Sequence, residues 1–322
     1  MKTRLIPRLG WQVSEVGYGM WGMGGWTGSD DEASSAALDR AVARGCNFFD
    51  TAWAYGEGRS ERLLGALVQR HPEAKLLTAT KVPPKDRVWP GKGATPIDQV
   101  FPYDHIVEYT DRSLKNLGAD TIDLQQLHVW DDRWAVDDGW RRAAEDLKRS
   151  GKIRAFGISV NRWEPENVLQ AIESDLVDTV QVVYNIFDQA PEDVLFDACA
   201  RKGIGVIARV PFDEGSLTGT LTAESRWPDG DFRNIYFQSP KLGETLARVE
   251  PLKALAVEWG EPLPGVALRF ILAHPAVSTV IPGMRALANV EANLAASGQP
   301  LSPAQVSALR AFRWDRKPDH RP

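Results

Sequence analysis

Short apolar runs alternate with helix-periodic stretches along almost the whole of this 322-residue chain, and that alternation restricts the fold more than anything else in it. After a hairpin-like opening (Arg4–Ile6 and Gln12–Ser14, with Leu9–Gly10 between them), strands are predicted at Val16–Gly19, Asn47–Asp50, Leu76–Lys81, Ile122–Leu127, Ile153–Ser159, Thr179–Val183, Gly205–Arg209 and Ser278–Ile281. Helices are predicted between and after them, at Asp31–Arg44, Ser60–Arg70, Asp104–Leu117, Asp138–Ser150, Glu164–Ser174, Pro191–Lys202, Pro264–Leu272 and Asn289–Ala296, most of them opened by Ser, Asp or Pro and closed near Gly. A strand returned to its neighbour through a helix pairs in parallel. Eight such units predict a closed (β/α)8 barrel, one domain over residues 1–322, with its chemistry where the C-terminal strand ends converge. Three segments exceed the usual connection length: 82–101, 211–239 and 301–322. The first and third, the third bringing Phe312 and Trp314, are expected to frame a pocket.

Composition removes other classes. Hydrophobic residues at 43% and charged residues at 25% match a globular chain. The formal net charge of −5, without a basic run, argues against nucleic acid or an anionic membrane as partner. Residues 1–10 lack the apolar core of a signal peptide and no stretch approaches the ~18 apolar residues of a membrane span. Cys46 and Cys199 have no Cys-x-x-Cys spacing, so neither a disulfide framework nor a zinc cage is expected. These features predict a cytoplasmic protein.

The strand ends carry the reactive side chains. Strand two runs into Asp50-Thr-Ala-Trp-Ala-Tyr55, strand three ends at Lys81 and strand four is followed by His128. A phenol beside an ammonium and an imidazole is expected to have its pKa drawn down from about 10, which suits a proton donor. Asp50 supplies the counter-charge a partly buried Lys81 needs; His128 is expected to orient a carbonyl and share the proton. Of the five histidines only His128 falls at a strand end, which leaves a metal-dependent barrel hydrolase without ligands. Trp21, Trp53, Trp89 and Trp130 lie in loops and are expected to line a substrate pocket, with Met20 and Trp26 near cofactor or substrate.

Taken together, DTAWAYGEGRSERLLG (50–65), Lys81, DRSLKNLGADTIDLQQLH ending at His128 and GKIRAFGIS (151–159) resemble the aldo-keto reductase superfamily in order and spacing, from about Val16 to about Leu294. The resemblance implies an (α/β)8 barrel that binds NADP(H) without a Rossmann domain, and it makes Asp50, Tyr55, Lys81 and His128 a catalytic tetrad. Tyr55 would protonate the carbonyl oxygen while hydride arrives from the nicotinamide C4. Ser159 and Gln181 would hold the carboxamide, and Arg209 would stack on the ring. The loop opened by Pro211 (211–219) would cradle the pyrophosphate, with Gly215, Ser216, Leu217 and Gly219 offering backbone N–H groups. Gly283, Met284 and Arg285 would hold a 2′-phosphate ahead of a helix, with Asn289 and Asn293 near the adenine. The family pattern is broken at Val160, where an Asn is usual, leaving Asn161 as a substitute, and at Ala292, where a Glu is common.

Two rivals follow from the same residues. Gly17-x-Gly19-x-x-Gly22 after a strand satisfies a Rossmann fingerprint, but the first predicted helix begins nine residues past Gly22, whereas that loop should open the helix directly. Some relatives in the superfamily serve mainly as nucleotide-sensing regulatory subunits with little turnover, which an intact tetrad does not exclude. The reading the sequence favours is an NADP(H)-dependent oxidoreductase acting on a small-molecule aldehyde, ketone, alcohol or sugar. Self-association stays open.

Overall fold

The computed structural model describes residues 1–25, 28 and 30–315. An antiparallel hairpin, β1 (Thr3–Ile6) and β2 (Trp11–Ser14), precedes eight parallel strands: β3 (Tyr18–Gly19), β4 (Phe48–Asp50), β5 (Leu77–Val82), β6 (Ile122–Leu127), β7 (Ile153–Ser159), β8 (Thr179–Val183), β9 (Gly205–Arg209) and β10 (Val277–Val280). They pair in sequence order from β3 to β10. Parallel bridges from Val16 to Val280 and from Gly19 to Gly283 close the sheet on itself. The chain is a (β/α)8 barrel. Trp26 lies outside the described residues.

The period-2 alternation of a strand decides what fills the barrel. Phe48, Leu77, Ala79, Leu124, Ala155 and Ile207 form one buried cluster with Ile6, Trp11 and Val13 of the hairpin. The hairpin is therefore a plug in the N-terminal end of the barrel, anchored where the Arg8 amide donates to Gly203 O at 2.9 Å. Inward-facing positions nearer the C-terminal strand ends are polar: Asp50, Lys81, Gln126, Ser159, Gln181 and Arg209. One end of the interior is thus closed by hydrocarbon and the other built from hydrogen-bonding groups. The alternate phase faces the helices and makes the larger apolar cluster. Among the described residues no helix is long and apolar enough to cross a membrane.

The glycines of the Rossmann-like segment serve the barrel seam. The Gly17 and Gly19 amides donate to Val280 O and Pro282 O at 2.9 and 3.0 Å. A Cβ on Gly19 would stand 2.6 Å from Ile281 O, and one on Gly22 would stand 2.7 Å from the Arg285 side chain. They permit close approach of the first strand to the last, and the first helix begins at Asp31 with Asp30 as its cap.

Strand bounds agree with the sequence reading to within two residues; the helices differ more. The stretch predicted as Glu164–Ser174 is helical only over Leu169–Glu173. Asn167 there accepts from the Asp132 amide and donates to Trp130 O, side-chain bonds that compete with helix formation. Among the described residues four α-helices were not predicted, two of them single turns at Ile97–Val100 and Arg233–Tyr236. Lys241–Glu258 carries Pro251 in its interior, a residue that normally argues against a helix. Pro303–Arg310 lies in what was expected to be tail, and is opened by a Ser302/Gln305 capping box.

Gly19→Ala should force the seam apart and cost about 1–3 kcal/mol, as overpacking does. Gly243→Ala, in a helix with nothing within 4 Å of the added atom, should be neutral or stabilising. Urea midpoints of the two variants check the opposite signs.

Candidate active site

Asp50 and Lys81, facing inward from β4 and β5, are 2% and 1% exposed. Lys81 Nζ donates to Asp50 Oδ1 at 2.5 Å and to Thr51 O at 2.7 Å. The other carboxylate oxygen accepts from Gln181 Nε2 at 2.9 Å and from Gln126 Nε2 at 3.2 Å. A buried ion pair holds only when its remaining hydrogen-bonding capacity is filled, and this one is.

Tyr55 lies in the turn between β4 and the helix Arg59–Arg70. Lys81 Nζ is 5.3 Å from its ring centroid. His128, one residue past β6, meets the phenol edge-on with centroids 5.8 Å apart. The four side chains expected to act together are therefore neighbours at one mouth.

Their electrostatics differ from the expectation at two points. Burial is the largest influence on Tyr55 and holds its pKa above the ordinary value; Lys81 and Arg209 pull down without prevailing, and Asp50 adds to the rise. The phenol keeps its proton through the neutral range, with the ammonium offsetting part of the burial. His128 lies well below the usual histidine range, through burial first and then the charges of Lys81 and Arg209. It is a neutral imidazole, able to donate one hydrogen bond but carrying no second proton to share. Its Nδ1 is buried without a hydrogen-bond partner.

Ser159, 3% exposed, sits in register beside Gln181, whose amide nitrogen is already on Asp50 and within 3.3 Å of Gln126 Oε1. Asn161 is not free to replace the missing family Asn, because its side chain accepts from the Gly91 amide at 3.1 Å and donates to Gly91 O at 3.0 Å. Arg209 donates to Val160 O at 2.9 Å and has a buried Nε without an acceptor. Burial, with Arg162 close by, lowers its pKa to about 10, and it remains a cation at neutral pH.

The segment after β9 departs from the sequence reading. It coils into a tight turn over Asp213–Thr218 in which the Gly215 and Leu217 amides donate to Phe212 O and the Gly219 amide to Ser216 O. Those N–H groups, expected to face a pyrophosphate, are spent inside the turn, and Ser216 Oγ is held by Asp213. Pro211 is buried at its start. Sequence reasoning missed Arg162, which ties the turn down by bonding Glu214 at 2.6 Å, Tyr236 at 2.8 Å and Asp213 at 3.3 Å. After β10, Gly283, Arg285 and Asn289 are exposed at the mouth, while Met284 and Asn293 are buried. Arg285 lies across Gly22.

The tryptophans divide. Trp89 is 45% exposed and edge-on to His128, with centroids 5.9 Å apart. Trp21 is 47% exposed and follows Met20, whose amide donates to Asp50 O. Trp130, without exposure, is enclosed between Trp134 and Trp140, and Trp53 packs on Tyr109 under Arg87. Trp314 packs on Phe187, its amide bonded to Phe187 O at 2.8 Å, and so pins the C-terminal segment to the loop after β8. A groove of about 630 Å³, lined by Arg4, Glu15, Arg269, Leu301 and Arg310 among others, shares no residue with this mouth.

A barrel whose open end gathers a buried Asp–Lys pair, a protonated phenol and a neutral imidazole is that of an oxidoreductase class, and comparison with known proteins agrees. The Aldo/keto reductase family model matches residues 15–313, and the chain belongs to that family. It is 30% identical over 305 residues to the aldo-keto reductase YhdN of Bacillus subtilis, covering 91% of this chain and 87% of that protein. It is 28% identical over 315 residues to an NADH-specific methylglyoxal reductase of Escherichia coli, covering 92% and 94%. Among solved structures, the glycerol dehydrogenase AKR11B4 of Gluconobacter oxydans superposes with a TM-score of 0.79 at 27% identity, covering 97% and 94%.

The histidine shift fixes a pH dependence of stability. An unfolded histidine takes up a proton near pH 6.5, which folded His128 refuses, so its contribution is complete above that range and is lost as pH falls below it. His128→Gln should therefore flatten the acid-side decline of stability by up to about 1.4 kcal/mol per pH unit. Denaturant titrations at pH 7.5, 6.5 and 5.5 measure the slope.

Proposed function

We propose that this enzyme is an NADP(H)-dependent reductase of aldehydes, ketones or sugars that also runs the reverse oxidation, with Tyr55 as acid and base. The observation that carries the reading is the buried Asp50–Lys81 pair set against the Tyr55 ring beside an uncharged His128. Bound nicotinamide supplies a hydride to the carbonyl carbon. Tyr55 gives its proton to the carbonyl oxygen, and Lys81, fixed by Asp50, stabilises the phenolate left behind. His128, neutral, donates a hydrogen bond that orients the carbonyl, and Trp21 and Trp89 flank its approach.

The donor set suits the cofactor. Ser159 and Gln181 stand side by side for a carboxamide, and the Arg209 guanidinium, with its unpaired buried Nε, is a flat cation at the same mouth. Exposed Gly283 and Arg285, flanking buried Met284 before the helix Leu287–Leu294, support binding of the adenosine 2′-phosphate, with Asn289 beside them. The turn at Asp213–Thr218 would have to release internal hydrogen bonds to reach the pyrophosphate.

Tyr55→Phe should retain NADPH binding, read by quenching of tryptophan fluorescence, and lose about 10²–10⁴-fold in turnover of a panel of aldehydes, ketones and sugars. Turnover at the original rate would remove the acid assignment. Arg285→Ala should raise the KM for NADPH at least about tenfold while changing that for NADH little, since only the former carries the extra phosphate. Equal changes for both would exclude the 2′-phosphate role.

A further inference from the structure

Gln126 has so far entered only as a neighbour of Asp50. It faces inward from β6 two residues before His128, is wholly buried, and uses both ends of its carboxamide. Its Nε2 donates to Asp50 Oδ2 at 3.2 Å, and its Oε1 lies 3.3 Å from Gln181 Nε2, which also reaches Asp50 Oδ2 at 2.9 Å. Three side chains from β4, β6 and β8 thus close a ring of hydrogen bonds. The contact between β6 and β8 passes over β7, where the residue in register with Gln126 is Gly157. A Cβ there would stand 3.1 Å from Gln126 Cγ and 2.3 Å from Thr179 Oγ1, so the bare strand makes the crossing possible.

We infer that Gln126 is a positioning residue of the reaction, holding Asp50 so that one carboxylate oxygen is kept for Lys81 and linking that carboxylate to Gln181 on the cofactor side. This rests on the assignment of Tyr55 as the acid. A carboxylate can turn about its Cβ–Cγ bond; with Oδ2 held by two amides, Oδ1 has one direction left, toward Lys81. Without Gln126 the carboxylate swings and compensates Lys81 less well. The ammonium then acts more strongly on the phenol. An apolar side chain of similar volume would fill the same space, so a packing role alone would survive the exchange.

The test compares Gln126→Leu with Gln126→Glu. Gln126→Leu should lose about 10- to 100-fold in kcat, the range for one hydrogen bond to a charged group, with the carbonyl KM and the NADPH affinity within about threefold of the parent. Gln126→Glu carries its own rescue signature. A buried glutamic acid beside Asp50 holds its proton to higher pH than usual, and in that form its O–H donates to Asp50 Oδ2 while its carbonyl accepts from Gln181. Its kcat should approach the parent's at pH 5.5 and fall away from it as pH rises and the proton is lost. Tyrosinate absorbance, each protein minus its Tyr55→Phe counterpart, reads the phenol without substrate and should move to lower pH by about half a unit or more in Gln126→Leu.

Parental kcat and pH profiles in both variants, or an unmoved tyrosinate difference, would overturn the inference. So would a collapse of NADPH binding or of the thermal midpoint in both, which would mark Gln126 as structural. A parent protein that binds NADPH but turns nothing over would remove the reductase reading instead, and the tyrosinate difference would still decide the role of Gln126.

Discussion

The Asp50–Lys81 ion pair is the constraint from which the polar end of the barrel follows. Two charges with almost no exposure are stable only if the surrounding strands deliver enough partners, and here β4, β5, β6 and β8 each contribute. That requirement sets the polarity of the whole upper layer. It also places a fixed positive charge beside a half-buried phenol, which would otherwise be harder still to ionise. For the proposed role of Tyr55 as acid and base, such a counterweight has to be close by and unable to drift.

Much of this was legible in the sequence, because strand phase is readable from it. Leu77, Ala79 and Lys81 share a face, as do Leu124, Gln126 and His128; the first positions lie in the plugged half and the last at the mouth. Asp50, Tyr55, Lys81 and His128 were singled out by their places at or after strand ends, and they are neighbours in the structure. Gln126 was within reach of the same phase argument, but a glutamine gives no chemical signal until a carboxylate is known to face it.

What stayed hidden depended on contacts between distant segments. A tryptophan in a loop reads the same whether it faces solvent, as Trp89 does, or stacks into a wall, as Trp130 does against Trp134 and Trp140. The turn after β9 looked like a row of free amides, and only its three-dimensional closure, with Arg162 arriving from beyond β7, shows them occupied. Pro251 concealed a long helix because local preference opposed what packing imposed. The Tyr55 shift was misjudged in sign for a related reason: its charged neighbours are visible in sequence, the degree of burial is not.

The hairpin plug gives the barrel a direction of traffic. Ile6 and Val13 are without exposure and Trp11 nearly so, and together they seal the N-terminal end with apolar surface that offers water no foothold. In the proposed reaction, a proton given up at Tyr55 is therefore replenished from the same side by which substrate arrives and product leaves. Chemistry, solvent exchange and diffusion share one aperture, and Trp89, standing on His128 at its rim, sits where all three must pass.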